Sequence, residues 1–321
     1  MEILLLHPGG LGDIILSLPA IALLRSVLPS ARLTIAGNVD HLAPIISGYA
    51  ERVVSLSTLP LHRLYVGEEL PREDVAFWRS FGKIVSWTGS ADPEFAEKLR
   101  KIHPDVCVAR WRPDPKEDRH VSRLFVDSLG LGFPPEKSVS PARILLDPAT
   151  RKEGHQWLLE HGWNGRDSLI ALHPGAGSES KRWPLLRFVG LARHLALQKD
   201  RKLLIIEGPA ERGLAAQIGQ ALAESRAIPV ESVNSDLLAA VIEQCGTFIG
   251  NDSGVAHLAA ALEVACILLF GPTLPQHWAP LGENVVVLRN THGCEACRTG
   301  RGAHNCLGNI SIDEVLQVLH Q

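Results

Sequence analysis

Several absences narrow this sequence before any motif is considered. There is no basic excess: 32 Lys and Arg face 35 Asp and Glu, for a net charge of −3. No basic stripe occurs either, which argues against a dedicated nucleic-acid binder. No run approaches the roughly 18 apolar residues of a membrane span. The start lacks the basic region of a secretory signal, because Glu2 follows Met1 and the first apolar run is broken by Pro8, Gly9, Gly10, Gly12 and Asp13. A cytoplasmic location is therefore expected. Cysteine is sparse, with six in the chain. Cys107, Cys245 and Cys266 sit in apolar contexts and read as reduced core residues. The first glycine loop does not have the Gly-x-Gly-x-x-Gly spacing of a dinucleotide site, and no loop ends in the Gly-Lys-Ser/Thr of a P-loop.

What is present suits a globular enzyme. The 321 residues are 45% apolar and 21% charged, enough for two cores at roughly 100–200 residues per domain. Apolar runs at 3–7, 32–37, 83–87 and 105–110 read as buried strands, with helical stretches at 13–28 and 117–129 between them. Pro19 is expected to bend or restart the first helix. Gly130, Gly132, Pro134, Pro135, Pro141 and Pro148 mark a linker with a short strand at 142–146. A second series follows a helix at 150–161: strands at 168–173, 202–207, 247–250 and 264–270, and helices at 184–198, 209–224 and 236–245. Ser311 and Glu314 form a capping box for a last helix at 311–320. Strand–helix alternation predicts α/β domains with doubly wound parallel sheets. The expected division is 1–150, 151–310 and a terminal helix at 311–321.

In open parallel sheets, ligands bind where strands end, so four loops after strands carry the candidate chemistry. The first runs from His7 through Pro8, Gly9, Gly10, Leu11 and Gly12 to Asp13. Asp13 at a helix N-terminus is favoured in its charged form and is a candidate general base; capping its own helix is the competing reading. The second runs from His173 to Pro184. Gly175, Gly177, Ser178, Lys181 and Arg182 resemble an anion cradle, against an ordinary polar loop. The third offers Glu207 and Glu211, suited to ribose hydroxyls; Glu211 in a first helical turn can also merely complement the helix dipole. In the fourth, Asn251 and Asp252 precede a helix start at Ser253, Gly254 and Val255 whose N–H groups suit a phosphate. His257 reads as a structural histidine within that helix.

Taken in order, these loops resemble glycosyltransferase family 9, the heptosyltransferases of lipopolysaccharide inner-core synthesis. The matching pieces are Gly12-Asp13 with Pro19, His173-Pro174-Gly175-Ala176 through Lys181-Arg182-Trp183-Pro184, Asn251 through Leu258, and Phe270-Gly271-Pro272-Thr273 ahead of Cys294, Cys297 and Cys306. The resemblance implies a GT-B fold, two Rossmann-like domains facing across a cleft, with the acceptor on the N-terminal domain and a nucleotide-sugar donor on the C-terminal one. It implies inverting, metal-independent transfer without a cofactor, in agreement with the absence of any Asp-x-Asp. By residue matching, Asp13 is the base and Lys181 contacts the donor phosphates together with Ser178. Asp252 lies near the donor sugar, Ser253, Gly254 and Val255 form the phosphate turn, and Glu211 binds ribose unless the match shifts to Glu207. His7, Gly10 and Gly12 fall on the acceptor side. At His7 many members carry Lys or Arg, a departure that weakens the case for an anionic contact there. The implied donor is ADP-heptose. The implied acceptor is a glycolipid at the inner membrane surface, which would involve peripheral membrane contact and no nucleic acid.

Cys294, Cys297 and Cys306 with His304 read as a loop with free thiols; a disulfide between two of them, disfavoured by a cytoplasmic location, and a structural zinc site are the alternatives. Two other functions fit the same architecture: a nucleotide-sugar 2-epimerase, and a catalytically inactive sugar-nucleotide-binding protein.

Overall fold

In this computed structural model, the residues described are all except 39–47, 68, 115, 133, 135–138, 209–210, 223–225, 290–305 and 321. They fall into two units, Met1–Leu145 and Leu146–Gln321. The first unit carries β1 (Glu2–Leu6), α1 (Leu11–Val27), β2 (Arg32–Gly37), β3 (Arg52–Ser55), α2 (Arg72–Arg79), β4 (Lys83–Ser86), α3 (Pro93–Ile102), β5 (Val106–Val108) and α4 (Val121–Asp127). Its five strands are ordered β3-β2-β1-β4-β5, and every neighbouring pair is parallel. Central β1 shows why: Ile3, Leu4, Leu5 and Leu6 are all fully buried, as a strand covered on both faces requires. Each such side chain contributes about 1.5–3 kcal/mol by leaving water.

The second unit carries α5 (Pro148–Glu160), β6 (Ser168–His173), α6 (Leu185–Ala196), β7 (Arg201–Glu207), α7 (Leu214–Gly219), β8 (Ala227–Glu231), α8 (Ser235–Glu243), β9 (Thr247–Asn251), α9 (Gly254–Ala261), β10 (Ala265–Phe270), α10 (Pro275–Trp278), β11 (Val285–Arg289) and α11 (Ile312–Leu319). Its order is β11-β10-β9-β6-β7-β8, again parallel throughout. Counted within each unit, both sheets run 3-2-1-4-5, and the second adds a sixth strand. This is the doubly wound order, whose topological switch point lies between the first and fourth strands. In this chain those pairs are β1 with β4 and β6 with β9. A core built on Trp183, Phe188, Leu203 and Leu269 fills the second unit, and α11 closes it with Val315 and Leu316. The capping box at Ser311 and Glu314 is present, with the Ser311 hydroxyl accepting from Glu314 N–H at 3.1 Å.

Some sequence expectations are corrected. The helix carrying Pro19 runs unbroken from Leu11 to Val27, with Ile14 to Ile21 and Leu24 buried. Burial on nearly all sides outweighs the backbone bond that proline removes. The helix expected at 117–129 is confined to Val121–Asp127, started by His120, whose Nδ1 accepts from Ser122 N–H at 3.2 Å. Residues 142–146 form no strand. They alternate buried Ile144 and Leu146 with exposed Leu145 but pair with neither sheet. The described part of the helix expected at 209–224 is only Leu214–Gly219. Sequence reading missed β3, β8 and β11, all edge strands. In β8 the burial alternates, with Pro229 on the exposed face, and proline is tolerated there because β8 is an edge strand.

Candidate active site

Each switch point is lined by a loop that begins His-Pro-Gly. In the first unit β1 leads into His7, whose own N–H continues the ladder to Ala36 O at 2.8 Å. The His7 ring is 1% exposed and packs against Trp87 and Phe125, each 5.4 Å away between centroids, and Trp111 at 6.0 Å. Its Nδ1 accepts from Gly9 N–H at 3.1 Å. Burial among these rings lowers its pKa to about 4, so it is neutral at physiological pH. His7 therefore lies beneath the loop as a buried prop and does not present a charge to an acceptor. Trp111 carries the Arg112 guanidinium over its ring at 4.8 Å.

Asp13 is the third residue of α1 and half-buried. Its Oδ2 accepts from the N–H of Gly10, the N-cap, at 3.0 Å. The capping reading is thus realised, and it fixes one carboxylate oxygen at the helix start. Gly9 makes this seat possible: a Cβ there would lie 2.8 Å from both Asp13 Oδ2 and His7 Cε1. Gly10 is exposed with open space around it, and Gly12 is half-buried in the first turn.

The second unit repeats the device. His173, 3% exposed, has Nδ1 at 3.1 Å from Ile206 O. A carbonyl only accepts, so Nδ1 carries the proton. Burial, assisted by the nearby Arg182 cation, lowers its pKa to about 4. A Cβ on Gly175 would meet His173 Cε1 and the Glu211 carboxyl carbon, both at 2.8 Å. Here too a glycine leaves room for a carboxylate beside a buried neutral imidazole.

The two candidate ribose acids separate clearly. Glu207 spends one oxygen on Gly213 N–H at 2.9 Å and the other on Ala215 N–H at 2.8 Å, and so caps α7. Glu211 lies three residues before that helix, not in its first turn, which removes the dipole reading. It is 8% exposed, with Arg182 Nη2 3.4 Å from Oε1.

Lys181 ends a short 3₁₀ turn, Glu179–Lys181. Its Nζ donates to Asp252 Oδ2 at 2.7 Å, with side chains 32% and 7% exposed. Two residues that are 71 apart in sequence thus meet at the β6/β9 switch point. The Ser178 hydroxyl is exposed and 3.1 Å from that of Ser180. Ser253 caps α9, accepting from Ala256 N–H at 3.3 Å. The first-turn N–H groups of Gly254 and Val255 are of the kind a helix leaves without an intrahelical partner. His257 is buried inside α9, as its sequence context suggested.

Cys294, Cys297 and His304 lie outside the described residues. Cys306 is buried in a 3₁₀ turn. Cys245 and Cys266 are buried, and burial raises both thiols, Cys266 to about 12. Cys107 is half-buried and donates to Ser128 O at 2.7 Å. Among the described residues no group of three or more His, Cys, Asp or Glu is placed to hold a metal ion. None of the described helices is long and apolar enough to cross a membrane.

Comparison with known proteins agrees with this arrangement. Residues 112–307 match the model of glycosyltransferase family 9 (heptosyltransferase). The lipooligosaccharide heptosyltransferase 2 of Haemophilus ducreyi is 27% identical over 361 aligned positions, covering 100% of this chain and 99% of that protein. The lipopolysaccharide heptosyltransferase 2 of Salmonella typhimurium is 32% identical, over 56% of this chain and 54% of its own length. Among solved structures, the Escherichia coli ADP-heptose heptosyltransferase II superposes with a TM-score of 0.76 at 19% identity, covering 100% of this chain and 98% of that one. A family 9 glycosyltransferase from Veillonella parvula gives 0.77 at 19%, over 99% and 96%. With two parallel doubly wound sheets of the GT-B kind and a family match over more than half its length, the chain belongs to glycosyltransferase family 9 and is a glycosyltransferase.

Proposed function

We propose that this enzyme transfers heptose from ADP-heptose to a lipopolysaccharide inner-core acceptor, with inversion and without a metal. The observation that carries the donor half is the Lys181–Asp252 pair, 2.7 Å apart beside the start of α9 at the β6/β9 switch point. Relatives named as heptosyltransferases support the sugar, and a structural neighbour solved with ADP-2-deoxy-2-fluoro heptose supports the nucleotide.

In this reading the Met1–Leu145 unit takes the acceptor and the Leu146–Gln321 unit the donor. The acceptor hydroxyl oxygen attacks the anomeric carbon as the bond to the diphosphate oxygen breaks. The hydroxyl proton passes to the Asp13 carboxylate, and ADP leaves with the bonding electron pair. Attack opposite the leaving group inverts the centre, through charge development of the oxocarbenium kind. Negative charge grows on the diphosphate, where Lys181 and the N–H groups of Ser253, Gly254 and Val255 act as fixed donors. Asp252 orients Lys181 and stands near the sugar, Ser178 adds a hydroxyl, and Glu211 takes the ribose. Gly10 and Gly12 keep the approach to Asp13 narrow in side chain. The enzyme works in the cytoplasm, peripherally at the inner face of the membrane that holds its glycolipid acceptor.

A thermal-shift screen with ADP-, UDP- and GDP-linked sugars tests the donor. Selective stabilisation by ADP-heptose is expected, and selective stabilisation by a uridine or guanosine donor refutes the assignment. Product analysis with and without acceptor distinguishes transfer from 2-epimerisation, which needs none.

A further inference from the structure

One buried side chain holds together the segments on which the donor site depends. Asn251, the last residue of β9, is fully buried. Its Oδ1 accepts from Trp183 N–H at 2.9 Å. Its Nδ2 donates to Pro174 O at 2.9 Å and to Gly175 O at 3.2 Å. Those partners stand at the two ends of the loop that carries Ser178 and Lys181. The next residue along the chain is Asp252, to which Lys181 donates. A single carboxamide therefore ties the loop after β6 to the strand end that presents Asp252.

We propose that Asn251 is a positioning residue for the donor diphosphate: it fixes both ends of the 174–183 loop so that Lys181 and Asp252 are presented as one unit. This rests on the donor-site reading above. The chemistry is specific to a carboxamide, which supplies one acceptor and two N–H donors in one plane. Pro174, Gly175 and Trp183 are all buried, so removing their partner leaves backbone polar groups without water to replace it. Leucine has a similar volume and serves none of the three. A carboxyl group in the same place still accepts from Trp183 N–H, but donates to a carbonyl only while it is protonated.

That difference separates positioning from general packing. The titratable groups on the segments bonded to Asn251 are Glu179, Lys181, Arg182 with its partner Glu211, His173 and Asp252. His173 is held neutral near neutral pH. In an Asn251→Asp variant, burial and two facing carbonyls favour the protonated form, whereas Lys181 and Arg182 favour the charged one. The variant should therefore work at low pH and fail as pH rises, a transition the wild type lacks.

The experiment measures affinity for ADP, or for whichever of UDP and GDP the wild type prefers, by calorimetry between pH 6 and 9. Wild type, Asn251→Leu, Asn251→Asp and Lys181→Ala are compared, with thermal melts to confirm folding. Expected is a loss of about tenfold or more in Asn251→Leu at every pH, the scale of one unsatisfied buried group. Asn251→Asp, whose protonated carboxyl can donate to one of the two carbonyls, should bind more tightly than Asn251→Leu at pH 6 and approach it at pH 9. Wild-type affinity in folded Asn251→Leu overturns the proposal. Should that variant not fold, an Asn251→Asp affinity that follows wild type across the whole range overturns it. Lys181→Ala is the separate check: wild-type affinity there defeats the donor-site reading itself, whereas a loss there with none in the Asn251 variants defeats only the positioning role.

Discussion

Gly9 and Gly175 do the same thing in two places: each lets a carboxylate settle against a buried imidazole. The physical consequence is that the carboxylate can be displaced without being removed. Gly9→Ala is expected to lower kcat by about 10²-fold, the scale for a reacting group moved by roughly 1 Å, while ADP affinity stays unchanged. Steady-state kinetics with parallel calorimetry checks this. Asp13→Asn keeps the shape and loses the base. Its kcat is expected to fall by about 10²–10⁴ with donor binding intact, and turnover near that of wild type would remove Asp13 from the mechanism. Lys181→Ala is expected to lower kcat by about 10²–10³ and to weaken donor binding, because its charge meets the diphosphate both before and during transfer. The placement of Asp13, Lys181 and Asp252 in loops or helix starts after strands was legible in the sequence, because each stands in a recognisable motif. The burial of His7 was not, since a histidine after a strand looks the same in sequence whether it faces solvent or three aromatic rings.

Among the elements, a helix start distinguishes the two candidate carboxylates. Glu207 spends both oxygens on the first turn of α7, whereas Glu211 sits in the narrow space by Gly175 and Gly208. Glu207→Ala is therefore expected to cost about 0.5–2 kcal/mol of stability, as loss of a cap does. Glu211→Ala is expected to raise the donor KM with little change in melting temperature. Melting curves alongside donor titrations separate the two. From sequence these acids are four residues apart, with Glu211 the preferred ribose match and Glu207 the alternative, because which one caps depends on where the helix begins. α7 starts only at Leu214, after Gly213 in a left-handed conformation with φ of 91°. The edge strands were missed for a related reason. All three are only partly buried; β3 and β8 lack the continuous apolar run that marks β1 or β10, whereas β11 has one from Val285 to Leu288 but is covered less completely.

At the scale of the whole molecule, among the described residues each unit carries a histidine that burial keeps uncharged near neutral pH, His7 and His173. His7 and His173 have folded pKa values near 4, below an unfolded value of about 6.5. Between those limits the unfolded chain binds protons that the folded chain does not, so stability falls as pH drops from 6.5 to 4 and levels off below. Each depression corresponds to about 3 kcal/mol. Thermal melts from pH 7.5 to 4.5 are expected to show steep acid destabilisation in both units, and flat melting temperatures over that range would contradict the burial argument. Sequence by itself determined the α/β class and the parallel sheets, and it marked which loops follow strand ends. These follow from local periodicity and from turn residues at strand ends, which are properties of neighbours along the chain. Only the tertiary structure decided that Pro19 stays within one helix, that Glu207 caps while Glu211 does not, and that Asn251 binds both ends of a loop some seventy residues away. Those outcomes depend on burial and on pairing between distant segments, which no local pattern encodes.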